Sequence, residues 1–171
     1  MQLSKPYQYV ISVVSGGGYS VRGQNGEYTF LAPVTHRGPK LYTFSSDSCL
    51  LYVGQTVQGM AARVRLGFQA DGSSGYYGYG WRQALSKVDL HIWCLDDTTE
   101  GEEALALECI ESEVVYLCRS VYGQWPAHQT EIHFHESTNE HRQLAESIFS
   151  LFNRKRAQQG ALGDASQASR P

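Results

Sequence analysis

The feature that most constrains this chain is Leu41-Tyr-Thr-Phe-Ser-Ser-Asp-Ser-Cys-Leu-Leu-Tyr-Val-Gly54, two short runs of strand-forming residues around Ser45-Ser-Asp-Ser48. Serine and aspartate side chains bond the nearby backbone and so favour turns, while β-branched and aromatic residues suit a half-buried strand. The segment predicts a hairpin of about 41–45 with 50–54. Directly after it, over about 57–68, Met60, Ala61, Val64 and Phe68 recur at helical spacing. The stretch from Asp71 to Trp81 that follows is too rich in glycine to sustain a helix. Hairpin, helix and glycine-rich loop therefore succeed one another.

The flanking elements follow from the same rules. Residues 7–34 hold the alternating runs YQYVISVV, YSVRGQ and EYTFLAP, with Asn25-Gly26, a strong hairpin signal, between the last two. They predict an N-terminal β-meander. Val88 to Leu95 reads as a compact strand, and the acidic DDTTEGEE after it suits the positive end of a helix running from about 102 to 120. Glu131-Ile-His-Phe-His135 alternates as a strand would, and Ser137-Thr-Asn-Glu140 makes a capping box for a helix bearing Leu144, Ile148, Phe149, Leu151 and Phe152. The tail, rich in Ala, Gln, Gly and Ser, has a disordered composition.

With 171 residues and 42 % hydrophobic content, the chain is of a size to build one core. The cysteines at 49, 94, 109 and 118 lack the close pairing of a thiolate zinc site or a redox pair and read as reduced, packed thiols. The opening MQLSKPYQYVISVV is too short in apolar residues for a signal segment, and far below the roughly 20 needed to span a bilayer. A cytoplasmic location with no membrane partner is expected. The net charge of −3 argues against a protein that coats nucleic acid, so any DNA contact must rest on local positive charge.

Glu111 stands out on a helical wheel of residues 104–121. Ala104, Leu107, Ile110, Val114, Leu117, Cys118 and Val121 form one apolar stripe; Glu108 and Glu113 fall at its edges, and Glu111 falls inside it. A carboxylate there is costly unless it meets a cation, which a bound metal or an arginine in a buried ion pair would supply. On a strand, Glu131, His133 and His135 would share a face, a spacing compatible with metal but more often seen in solvated histidines.

Leu41-Tyr42-Thr-Phe, Leu51-Tyr52-Val-Gly-Gln-Thr56 and Arg63-Val-Arg65-Leu-Gly-Phe68 together resemble the GIY-YIG nuclease family, whose members begin with two tyrosine-bearing strands and continue into an arginine-bearing helix. The likeness covers about residues 38–125 and is that of a divergent, bacterial-type member. Lys40-Leu41-Tyr42 departs from Gly-Ile-Tyr, whereas Tyr52-Val53-Gly54 is a common variant of the second motif. The resemblance implies that Tyr42 and Tyr52 are the strand tyrosines, Arg63 the helix arginine and Glu111 the metal-binding glutamate, with Mg²⁺ or Mn²⁺ as cofactor and DNA as partner. The helical wheel does not choose between Arg63 and Arg65; the family order selects Arg63. Where the family often carries a further His, Lys or Tyr one turn on, this chain has Gly67, leaving Tyr76, Tyr77 or Tyr79 to fill that role or to form a lid or base-stacking surface. No asparagine matches the family's, and Gln129 and His133 are the supporting candidates.

The resulting expectation is an α/β (α+β) protein with a small three-stranded central sheet flanked by helices. Its divisions are an N-terminal β extension over 1–37, a GIY-YIG-like core over 38–136, a C-terminal helix over 137–157 and a disordered tail over 158–171. Its expected activity is metal-dependent DNA endonuclease cleavage. The alternatives are a DNA-binding module on the same fold without catalysis, and a metal-dependent hydrolase of small substrates centred on Glu131, His133 and His135. Monomer and homodimer are both open.

Overall fold

The computed structural model describes residues 2–47, 49–73, 75–96 and 103–167, with the backbone alone for 96, 103 and 154–167. Its elements are β1 (Gln2–Leu3), β2 (Tyr7–Val14), β3 (Gly18–Gly23), β4 (Lys40–Ser46), β5 (Cys49–Thr56), α1 (Met60–Gln69), a 3-10 turn (Gly80–Gln83), β6 (Lys87–Asp96), α2 (Glu103–Tyr122) and α3 (Asn139–Gln167). The architecture is α+β.

The sheet has six strands, not the expected three. All pairs are antiparallel, in the order β3-β2-β6-β4-β5, with β1 beside the end of β6. The difference lies in the N-terminal segment, which joins the central sheet: β2 pairs with β6 from Tyr7↔Ile92 to Ser12↔Lys87. Its alternation then puts Tyr9 and Ile11 into the core that Leu90 and Ile92 also build.

The N-terminal hairpin turns at Gly16 and Gly17, whose φ values of 87° and 81° suit glycine. Asn25-Gly26 does not join two strands. Glu27 accepts hydrogen bonds from the Asn25 backbone N and Nδ2, its carbonyl closes a turn on Gly23 N, and residues 27–33 continue as irregular chain. The second hairpin forms where expected, though Ser48 of its turn lies outside the described residues. Most of the acidic run before α2 also lies outside them.

The two sheet faces carry separate cores. On one, Tyr42, Phe44, Tyr52, Leu90 and Ile92 pack with Met60, Val64 and Phe68 of α1 and with Tyr79 and Trp81. On the other, Leu41, Val53, Trp93 and Leu95 lie under Leu107, Ile110 and Val114 of α2 and Ile148, Phe149 and Phe152 of α3. A register shift in the β4/β5 pair, where Phe44 faces Tyr52 but Ser45 faces Leu50, leaves Leu51 as the extra residue and puts it on the same face as Tyr52.

Residues 131–135 form no strand. The open edge of β5 is instead met by Ala127 N and His128 N, which donate to the carbonyls of Leu50 and Leu51. The α3 cap is shifted by one residue: His141 N donates to Thr138 Oγ1 at 3.2 Å, and Thr138 N donates to His141 Nδ1 at 3.3 Å. α3 itself runs on past residue 157 to Gln167. No described helix is long and apolar enough to cross a membrane.

Candidate active site

The site candidates come from both sheet faces and meet around the edge of β5. Tyr42 on β4, the central strand of the β6-β4-β5 part of the sheet, is fully buried. Its ring stacks 6.1 Å from that of Tyr52, and its hydroxyl accepts a hydrogen bond from Arg63 Nε at 2.9 Å. Gly54, facing Tyr42 across the ladder, makes room for this: an added Cβ would lie 2.7 Å from both Tyr42 Oη and the Tyr52 ring.

Arg63 is half-buried, with its guanidinium 5.0 Å from the Tyr76 ring centroid and 5.9 Å from that of Tyr42. Arg65 points away, exposed and close to Tyr19. The geometry thus separates two arginines that the helical wheel leaves equal. Among the described residues Arg63 makes no ion pair and donates from Nε alone, which leaves its Nη groups without a partner there.

The glycine-rich loop divides the three candidate tyrosines. Tyr79 is fully buried; its ring fills the space that a Cβ on Gly67 would occupy, and its hydroxyl donates to Tyr42 Oη at 3.3 Å. A phenol from the loop therefore stands over the vacant helix position. Tyr76 lies on Arg63, and its hydroxyl is buried without a partner among the described residues. Tyr77 is 68 % exposed and packs back over Gly72. Arg82, which sequence reasoning did not single out, fixes the base of the loop by donating to the carbonyls of Gly67, Phe68 and Ala70. A lone arginine two residues past a glycine-rich run carries no signal that would have marked it.

Glu111 reaches the site from α2 on the opposite face. It is half-buried, and on the helix face it lies between Cys118 and Val115, both of which are buried. Ala104 and Val121 are exposed, whereas Ala106, Cys109 and Val115 are buried, because α2 packs against both the sheet and α3 and buries a broader arc than one stripe. Burial pushes the Glu111 carboxyl up to about 8; Arg63 pulls it down, Glu108 and Glu131 push it further up, and Gln129 pulls it down by hydrogen bonding. Gln129 also closes the edge of β5, accepting from Val53 N at 2.9 Å and donating to Val53 O at 3.1 Å.

Burial likewise raises Tyr42, Tyr52 and Tyr79 far above the ordinary phenol range, so each is a neutral hydroxyl at physiological pH. None of the three is therefore a phenolate ready to act as a base. The trio of Glu131, His133 and His135 does not converge: His133 pairs with Glu131 at 3.0 Å and His135 with Glu108 at 2.7 Å. The small-substrate hydrolase reading loses its centre. Among the described residues no three His, Cys, Asp or Glu side chains are grouped to hold an ion. A cavity of about 390 Å³ between α2, residues 134–137 and α3 is lined by His135 but by none of the nuclease-site candidates.

Comparison with protein-family models, with curated proteins and with solved structures gave no match.

Proposed function

We propose that this chain is a metal-dependent DNA endonuclease of the GIY-YIG type, hydrolysing phosphodiester bonds. The observation that supports this reading is the meeting of Tyr42, Tyr52, Arg63 and Glu111, carried by four separate elements and both sheet faces, at one edge of the sheet. Core packing alone gives no reason for an arginine and a carboxylate to be brought there without an ion pair between them.

A hard divalent cation fits the donor present. Glu111 offers an oxygen ligand whose ionised form is poorly compensated in this environment, and Mg²⁺ commonly binds through one or two carboxylates, with substrate phosphate and water completing its shell. Bound at Glu111, Mg²⁺ or Mn²⁺ would polarise the phosphodiester and stabilise the leaving oxygen. Arg63, its Nε held by Tyr42, turns its Nη pair to the phosphoryl oxygens and neutralises charge that develops on them. Tyr79 keeps Tyr42 in place by donating to the same oxygen. Tyr52, protonated and without a partner among the described residues, orients the attacking water in line with the bond to be broken; as the new P–O bond forms and the old one breaks, the proton that the water sheds passes through solvent to the departing oxygen.

The reading is tested by incubating plasmid, single-stranded and branched DNA with the protein in Mg²⁺. Cleavage is expected, with Arg63→Ala and Glu111→Ala inactive and Arg65→Ala fully active; full activity in either of the first two variants sinks the assignment. A second reading, a DNA-binding module that does not cleave, is favoured by the lack of any phenol poised as a base. It predicts DNA binding with no cleavage in Mg²⁺ or Mn²⁺.

A further inference from the structure

The Tyr76 hydroxyl is an anomaly within the site. It is buried and has no hydrogen-bond partner among the described residues, and a buried polar atom in this condition forfeits the bonds it would make to water. Among the described residues of the glycine-rich loop, no contact requires the oxygen. Gly72 N bonds the Tyr76 backbone carbonyl, and the ring alone makes the contact with Arg63.

The groups around it are donors or neutral hydroxyls. Arg63 spends its Nε on Tyr42 and keeps its Nη pair, while Arg82, the other cation within electrostatic reach, is committed to three carbonyls. Tyr76 and Arg63 thus hold unspent N–H and O–H donors side by side. A tetrahedral oxyanion with two outward oxygens satisfies both kinds at once, one oxygen on the guanidinium fork and one on the phenol. Burial keeps the Tyr76 phenol protonated, so it remains a donor at neutral pH.

We propose that Tyr76 contacts the substrate directly: its hydroxyl, closed off in the free protein, is uncovered as the phosphodiester enters and donates to a non-bridging oxygen of the phosphodiester that the Arg63 Nη groups hold. This deepens the proposed function and rests on reading the cluster as a phosphodiester site. Tyr76→Phe isolates the claim, because it keeps the ring on Arg63 and removes only the oxygen. A hydroxyl with no partner in the free protein contributes nothing to folding, so its removal leaves thermal stability unchanged or raises it; a structural hydroxyl, or one bonded to an ordered water, has the opposite sign.

The experiment has three readouts: thermal denaturation of Tyr76→Phe without DNA, its cleavage of DNA in Mg²⁺, and binding of a fluorescent oligonucleotide in EDTA. Binding is measured in a Glu111→Gln background, which is neutral and does not cleave, with and without Tyr76→Phe. The expected result is an unchanged or higher melting temperature, cleavage reduced by at least ten-fold, and Kd raised about ten-fold, as for one lost phosphate hydrogen bond. Wild-type binding and cleavage in Tyr76→Phe overturns the proposal and leaves the nuclease reading intact, and a lowered melting temperature overturns it too. If the wild type does not cleave but Tyr76→Phe still weakens binding, the nuclease reading falls and the phosphate contact stands. If the Glu111→Gln protein does not bind the oligonucleotide, the proposal fails.

Discussion

Replacing Glu111 by glutamine should stabilise the protein, and by an amount that grows with pH. The Glu111 carboxyl is raised from the ordinary 4.5 to about 8 in the folded chain, chiefly by burial. A folded-state value above the unfolded one means that the folded form holds the proton more tightly. The group's stabilising contribution is therefore complete below about pH 4.5 and is lost as pH rises towards 8. At 1.36 kcal/mol per pH unit over roughly 2.5 units, the wild type loses about 3 kcal/mol between pH 4.5 and 7 at this one group. Glutamine has no such loss and can take up the same hydrogen bond with Gln129. For a chain of this length the difference corresponds to about 6–12 °C in melting temperature at pH 7, shrinking towards zero at pH 4.5. Thermal denaturation of both proteins across pH 4.5–8.5, followed by circular dichroism, reads this directly. Adding Mg²⁺ supplies the missing positive charge, so the ion should stabilise the wild type near neutral pH and leave Glu111→Gln unaffected. A difference between the two proteins that stays constant over the whole pH range would refute the reasoning, since it would place the carboxylate in water.

Two further substitutions probe the frame that holds the site. Gly67→Ala puts a Cβ into the Tyr79 ring, in a core with no room to give, and should cost about 1–3 kcal/mol in urea denaturation; unchanged stability would show that Tyr79 does not fill that space. Gln129→Ala removes both side-chain bonds to the Val53 backbone and should cost about 2 kcal/mol, with faster hydrogen exchange at the Val53 amide in particular. Undiminished protection of that amide would mean the edge is closed by something else.

The parts of the fold legible in the sequence are those set by local pattern. The β4/β5 hairpin, α1, β6 and α2 arise from runs whose period, turn residues and glycine stops agree with one another. Long-range pairing was not legible: the alternation of Tyr7 to Val14 says that it is a strand, but nothing in it says that β6 has a free edge waiting. Glu131 to His135 has the opposite fate, since it alternates like a strand yet finds no free edge, because Ala127, His128 and Gln129 already occupy that of β5. At the site, Tyr42, Tyr52 and Arg63 were marked by order and spacing. The filling of Gly67's space by Tyr79 could not be read off, because it joins two elements through a contact that no period encodes. Glu111 lies on the buried side of α2, as the wheel has it, but the buried arc is wider than the wheel's one stripe, since a wheel assumes one packing partner and α2 has two.

Charge ties these parts to the proposed chemistry. Among the described residues Arg63 is the cation that acts on the Glu111 carboxyl, against Glu108 and Glu131, in a chain of net charge −3. With all three carboxylates ionised, an approaching phosphodiester would meet a repulsive field. Burial relieves part of this by leaving Glu111 largely protonated at neutral pH. On the proposed reading Glu111, once deprotonated, would hold a divalent cation that would reverse it by supplying positive charge at the site. The raised carboxyl and the acidic surroundings, which argue against nucleic-acid binding when counted over the whole chain, are then what would make tight engagement of the phosphate by the wild type depend on the metal, a dependence that the neutral glutamine of Glu111→Gln relaxes.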